Sequence, residues 1–90
     1  MSQSTKQSSE EERRLQLETG LLLEILSLHP DHLTFEEMIL RVTDTEHGIS
    51  RLDVDFALKE LTRFGVIRIN GEVLEPTFAA VRISKMLEIP

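Results

Sequence analysis

Cysteine, tryptophan and tyrosine are absent from these 90 residues, and phenylalanine, glycine and proline are sparse. Without cysteine the chain forms no disulfide and no thiolate metal site, which suits a reducing compartment. Unbroken apolar runs, Leu21–Leu23 among them, stay at a few residues. A membrane-spanning helix needs roughly 20. The segment from Met1 to Glu12 is polar and lacks the apolar stretch of a secretory signal, so the reading expects a cytoplasmic protein. A chain this short buries only about 60% of its unfolded surface, which leaves stability marginal and makes a partner subunit useful.

Positive charge is also scarce. The net charge is −6, which opposes nonspecific attraction to a polyanion, because neutralised phosphates supply most of the affinity in such complexes. The acids are unevenly placed. Residues 15–45 carry six against Arg41 alone, whereas residues 46–90 carry seven acids and six bases. Most of the negative charge therefore belongs to the first half of the chain.

What is present is a set of helix and turn signals. Residues 1–9, rich in Ser and Gln, are expected to form a disordered tail, leaving one domain over residues 10–90. Ser9 followed by three glutamates predicts a first helix from about residue 10 to 28, stopped by Pro30. Its leucines and Ile25 spread over an arc of roughly 180°, whereas one buried face needs about 100°. The excess predicts a second cover, and a two-fold homodimer through helices 10–28 and 78–88 is the expected one.

Two further helices open with the same capping pattern. Thr34 with Glu37, flanked by Leu33 and Met38, announces the second; Ser50 with Asp53, flanked by Ile49 and Val54, announces the third. Val54, Ala57, Leu58 and Leu61 recur at helical spacing as the core stripe of helix three, which Gly65 closes. Arg51, Asp55, Phe56, Lys59, Thr62 and Arg63 are read as its outward side. Val66–Ile69 and Glu72–Glu75 alternate as strands around Asn70-Gly71, which predicts a two-residue type I′ hairpin. Pro76 ends the second strand and Thr77 caps a last helix. The expected architecture is mainly α with a small β-hairpin: a three-helix core, a two-stranded hairpin and a C-terminal helix.

The run Asp53-Val54, Ala57-Leu58, Leu61, Gly65-Val66-Ile67, then Pro76-Thr77 and Ala80, resembles the winged helix-turn-helix superfamily, and within it the small stand-alone bacterial domains, over about residues 14–88. The resemblance implies a DNA-binding transcriptional regulator whose helix 50–64 enters the major groove of double-stranded DNA while the hairpin touches the backbone. Its candidate contacts are Ser50, Arg51, Asp55, Lys59, Thr62, Arg63, Arg68 and Asn70. Arg51 is the base-edge candidate, and Lys59, Arg63 and Arg68 are phosphate contacts. Asp53, Asp55 and Glu72 run against this pattern. Winged helices also serve as protein-interaction modules without DNA, and that is the alternative the resemblance leaves open.

The remaining features have plainer readings. Phe56 is expected to pack partly under the hairpin. His29 and His32 lack the further ligands of a closed metal site. His47 is expected in an exposed turn, and Glu10–Glu12 as a helix start. No nucleophile elbow, phosphate loop or paired carboxylate is found, so no enzyme and no cofactor are expected.

Overall fold

The computed structural model describes residues 2–43 and 48–88, with side chains from Ser9 onward; the expected turn at Glu46 and His47 lies outside the described residues. The elements run α1 (Ser2–Leu28), β1 (Leu33–Thr34), α2 (Phe35–Val42), α3 (Arg51–Arg63), β2 (Ile67–Asn70), β3 (Val73–Pro76) and α4 (Phe78–Glu88). The protein is thus mainly helical with a small three-stranded antiparallel sheet, in the order β1-β3-β2.

Helix α1 begins well before its expected cap. Ser9 is an interior residue of the helix, so the boundary placed between residues 9 and 10 is not a break in the backbone. Neither glycine nor proline occurs before Gly20, and serine and glutamine cost a helix only tenths of a kcal/mol each, so nothing local interrupts it. Toward its C-terminal end α1 buries Leu21 and Ile25 in one core cluster with Val54, Leu58 and Leu61 of α3, Leu74 of β3 and Met38 and Ile39 of α2.

Both capping boxes form. The Glu37 N–H donates to Thr34 Oγ1 at 3.2 Å and the Thr34 N–H to Glu37 Oε1 at 3.1 Å. This cap conformation has a second consequence. An N-cap residue is extended, and Thr34, at φ −87° and ψ 162°, continues the extended Leu33 into a two-residue strand. Leu33 pairs with Leu74 and Thr34 with Val73, while the Phe35 N–H donates to the Glu72 carbonyl at 2.8 Å. The expected two-stranded hairpin is therefore two strands of a three-stranded sheet, with β3 in the middle.

The hairpin turns one residue later than the Asn70-Gly71 signal predicts. Asn70 pairs with Val73, so Gly71 and Glu72 are the central turn residues. Gly71 alone has positive φ, +64°, the type II′ arrangement with glycine first. An Asn-Gly-centred turn would set Glu72 opposite Ile69 on the face that carries buried Ile67 and Leu74, and Arg68 opposite Val73. The observed register instead puts Pro76, which is buried, beside Ile67 on that face and Arg68 opposite Glu75 on the other. Apolar burial and a cross-strand charge pair outweigh the local turn preference.

Helix α3 ends in a Schellman motif around Gly65 (φ +78°): the Val66 N–H donates to the Leu61 carbonyl and the Gly65 N–H to that of Thr62. Thr77 then ties the start of α4 to this stop. Its hydroxyl donates to the Gly65 carbonyl at 2.8 Å and its N–H to that of Val66 at 3.0 Å. No described helix is long and apolar enough to cross a membrane.

The core and the turn give separate expected outcomes under chemical denaturation. Leu58→Ala, at a fully buried position, lowers stability by roughly 2–5 kcal/mol. Gly71→Ala costs roughly 1–2 kcal/mol because alanine is strained at positive φ, whereas Asn70→Ala stays within about 0.5 kcal/mol. Equal losses at Asn70 and Gly71 would point to the Asn-Gly-centred turn instead.

Candidate binding face

Ser50 sets the start of α3. Its Oγ accepts the Asp53 N–H at 3.2 Å, and Asp53 Oδ2 accepts the Ser50 N–H at 2.9 Å. The Ser50 hydroxyl also donates to Asp53 Oδ2 at 3.0 Å. Asp53, unwelcome near phosphates, is thus occupied by capping. The Ser50 N–H, followed by its hydroxyl, holds the Asp53 carboxyl below its ordinary value, with a smaller contribution from Arg13. Glu37 is lowered in the same way by Thr34.

Arg51 does not stand free at the tip of α3. It turns toward α2, where Glu36 takes its guanidinium in a fork, Nη2–Oε1 at 2.6 Å and Nη1–Oε2 at 3.3 Å. The guanidinium carbon lies 5.5 Å from the centre of the Phe35 ring. Glu36 raises the Arg51 pKa further above its already high value. The expected base-edge residue is therefore a link between α2 and α3, whose first turns bring two residues fifteen apart in sequence face to face.

The other cations are matched too. Lys59 Nζ lies 3.0 Å from Asp55, Arg63 Nη1 3.6 Å from Glu60, and Arg68 Nη2 3.0 Å from Glu75. Glu75 also has His32 Nε2 at 3.7 Å. Thr62 donates its hydroxyl back to the Leu58 carbonyl at 2.8 Å, and Asn70 is exposed at the end of β2. The structure thus gathers Asp55, Lys59 and Arg63 on the outer side of α3 and sets Arg51 and Ser50 at its α2 edge. Arg68 and Asn70 lie on the hairpin.

Phe56 is placed otherwise than expected. It faces α1 rather than the hairpin, with the Arg14 guanidinium carbon 5.4 Å from its ring centre and about half of its surface exposed. It borders an open groove of about 1410 Å³ between α1 and α3, whose walls include Leu17, Leu52 and Lys59. Leu52, 79% exposed, is a residue the sequence reading passed over. At 100° per residue it stands nearly opposite the Val54–Leu61 stripe, between Lys59 and Arg63, so the helical wheel contained the signal. Among the described residues no group of three or more His, Cys, Asp or Glu side chains is placed to hold a metal.

No protein-family model matches the chain, and neither a curated protein nor a solved structure matches it. The chemistry of the face itself therefore carries the functional reading.

The two capping carboxylates make acid sensitivity the next expected outcome. Each has a lowered folded-state pKa, so each contributes stability that is present above its ordinary value, 4.5 for Glu37 and 3.8 for Asp53, and lost as pH falls through the lowered one. Thermal unfolding followed by circular dichroism shows the midpoint falling as pH drops below about 4.5, and the fall continues beneath the ordinary carboxylate range. The pair Glu37→Gln and Asp53→Asn flattens that fall; an unchanged acid slope would remove both boxes from the explanation.

Proposed function

We propose that this chain is a cytoplasmic winged helix-turn-helix domain that works as a protein-interaction module rather than as a reader of DNA sequence. The order α1, β1, α2, α3, β2, β3, α4, with the short β1 joined to the hairpin, supports the winged-helix reading. It is the arrangement expected from Thr34 to Thr77, with one strand added. The role is binding, without catalytic chemistry.

One observation favours a protein over DNA: every basic side chain named for DNA contact lies 2.6–3.6 Å from a carboxylate. DNA binding is driven by cations that replace condensed counterions. Here each arginine or lysine that moved to a phosphate would leave an aspartate or glutamate unpaired beside the polyanion. The face offers a protein surface what it does not offer DNA, namely Leu52 and Phe56 one helical turn apart with charges of both signs around them. Apolar anchors inside a mixed polar rim are the usual composition of a protein interface.

DNA reading is the second interpretation, favoured by the exposure of Lys59 and Arg63 on the outer side of α3. Surface ion pairs are weak and exchange readily. A dimer would then present two such helices about 34 Å apart, one turn of DNA.

Gel retardation and anisotropy with duplex DNA at low salt separate the two. The unmodified chain is expected to show no salt-dependent binding. Neutralising the counter-charges together, Glu36→Gln, Asp55→Asn, Glu60→Gln and Glu75→Gln, uncovers four cations and is expected to create it. Salt-dependent retardation by the unmodified chain would transfer the assignment to DNA. In cells, a photo-cross-linker at Leu52 is expected to capture protein; capture of nucleic acid would reverse the reading.

A further inference from the structure

The second exposed apolar surface lies away from α3. Beyond the face that Leu21 and Ile25 bury, α1 carries a second row at helical spacing, Leu15, Leu22 and Leu26 with Leu23 beside it. Helix α4 covers it incompletely. Only Ala80 of α4 is buried, while Ile83 and Leu87 stay exposed, as do Leu15 and Leu23. Between the two helices runs an almost wholly apolar groove of about 370 Å³, walled by Leu22, Leu23 and Leu26 on one side and Ile83 and Leu87 on the other.

Charge says what covers it. Helix α4 carries Arg82 and Lys85 against Glu88, whereas α1 from Glu10 to Leu28 carries five glutamates against Arg13 and Arg14. Glu11 and Glu12 lie on the same side of α1 as Leu15 and Leu22, counted at 100° per residue. Among the described residues the ion pairs fall on the C-terminal half of α1, on α2, on α3 and on the sheet, and none involves Arg82, Lys85, Glu11 or Glu12. An acidic helix and a basic helix border one apolar groove, and among the described residues Glu11 and Glu12 of the first and Arg82 and Lys85 of the second have no charged partner within ion-pair distance.

We infer that the α1–α4 face is the seat of a second copy of this chain, with α4 of each copy lying across Leu15 and Leu22 of the other, so that Arg82 and Lys85 of one meet Glu11 and Glu12 of its mate. A two-fold axis satisfies this arrangement because each copy supplies both signs, and the contact made once is made twice. The apolar row supplies the attraction and the charges set the register. The inference holds whether the α3 face takes protein or DNA, since it uses none of the residues of that face.

Sedimentation of the full chain over a wide range of protein concentration tests it. The expected result is a reversible dimer. Ile83→Asp, at a position exposed in the single chain, is expected to abolish the dimer while the far-ultraviolet circular dichroism of the monomer is retained. Leu40→Asp, exposed on α2 and outside the face, leaves the dimer intact. Arg82→Glu with Lys85→Glu weakens association, and adding Glu11→Lys with Glu12→Lys restores it. A chain that stays monomeric at every concentration, a dimer that survives Ile83→Asp, or a charge exchange that fails to restore association each overturns the inference. A monomer that gains an apolar stranger at this face does so equally. None of these outcomes bears on the retardation and cross-linking results for α3.

Discussion

The pairing of Leu33-Thr34 with Val73-Leu74 is the contact on which the rest of the arrangement depends. It joins the link between α1 and α2 to the hairpin that follows α3, so two parts of the chain some forty residues apart share one sheet. Two buried leucines meet across it, Leu33 and Leu74, each at most 2% exposed. Once they are paired, Thr34 is held extended and caps α2, α2 lays Met38 and Ile39 on the core, and Glu36 at its first turn is brought to Arg51. Remove the pairing and β3 becomes an edge strand, leaving a two-stranded hairpin, marginal by itself in water, to be held by the packing of Ile67 and Leu74 on the helices.

That dependence explains which parts of the fold were legible in the chain. Both capping boxes, the stripe Val54, Ala57, Leu58 and Leu61, and the glycine stop at Gly65 are local, their partners lying within a few residues, so spacing is enough to place them. β1 was not legible, because two residues carry no alternation, and Leu33-Thr34 reads as the staple and cap of a helix. Both descriptions are true of the same residues, since an N-cap requires the extended backbone that a strand uses. The hairpin register was misread for the complementary reason. Asn70-Gly71 states a local preference, and what decides the turn is which side chain reaches the core from the far strand. Pro76 goes inward and Glu72 does not.

The candidate site was legible as a place but not as a charge. Lys59 with Asp55 and Arg63 with Glu60 stand at spacings that pair on any helix, so these two neutralisations were available from sequence. Arg68 with Glu75 needed the correct register, and Arg51 with Glu36 needed the angle between α2 and α3. The two hidden pairs change the face most. Arg51 was the side chain expected to meet a base edge, and its guanidinium, already forked to a carboxylate and stacked beside Phe35, resembles a structural brace more than an idle hand.

Such pairing has an energetic consequence beyond the loss of free cations. Exposed ion pairs stabilise little by themselves, because solvent screens them and their long side chains lose entropy. What they do well is set which surfaces can approach. A face on which each charge has its opposite alongside repels neither acidic nor basic partners strongly and attracts neither from a distance, so association there depends on contact between apolar groups rather than on long-range steering. On α3 those groups are Leu52 and Phe56. The α1–α4 face is built the other way: the two helices that wall its apolar groove carry opposite charges, Glu11 and Glu12 on α1 and Arg82 and Lys85 on α4, that have no ion-pair partner among the described residues. One surface is thus suited to discriminating partners at close range and the other to orienting a mate before contact. Because the two surfaces share no lining residue, whatever covers the second leaves the side chains of the first uncovered.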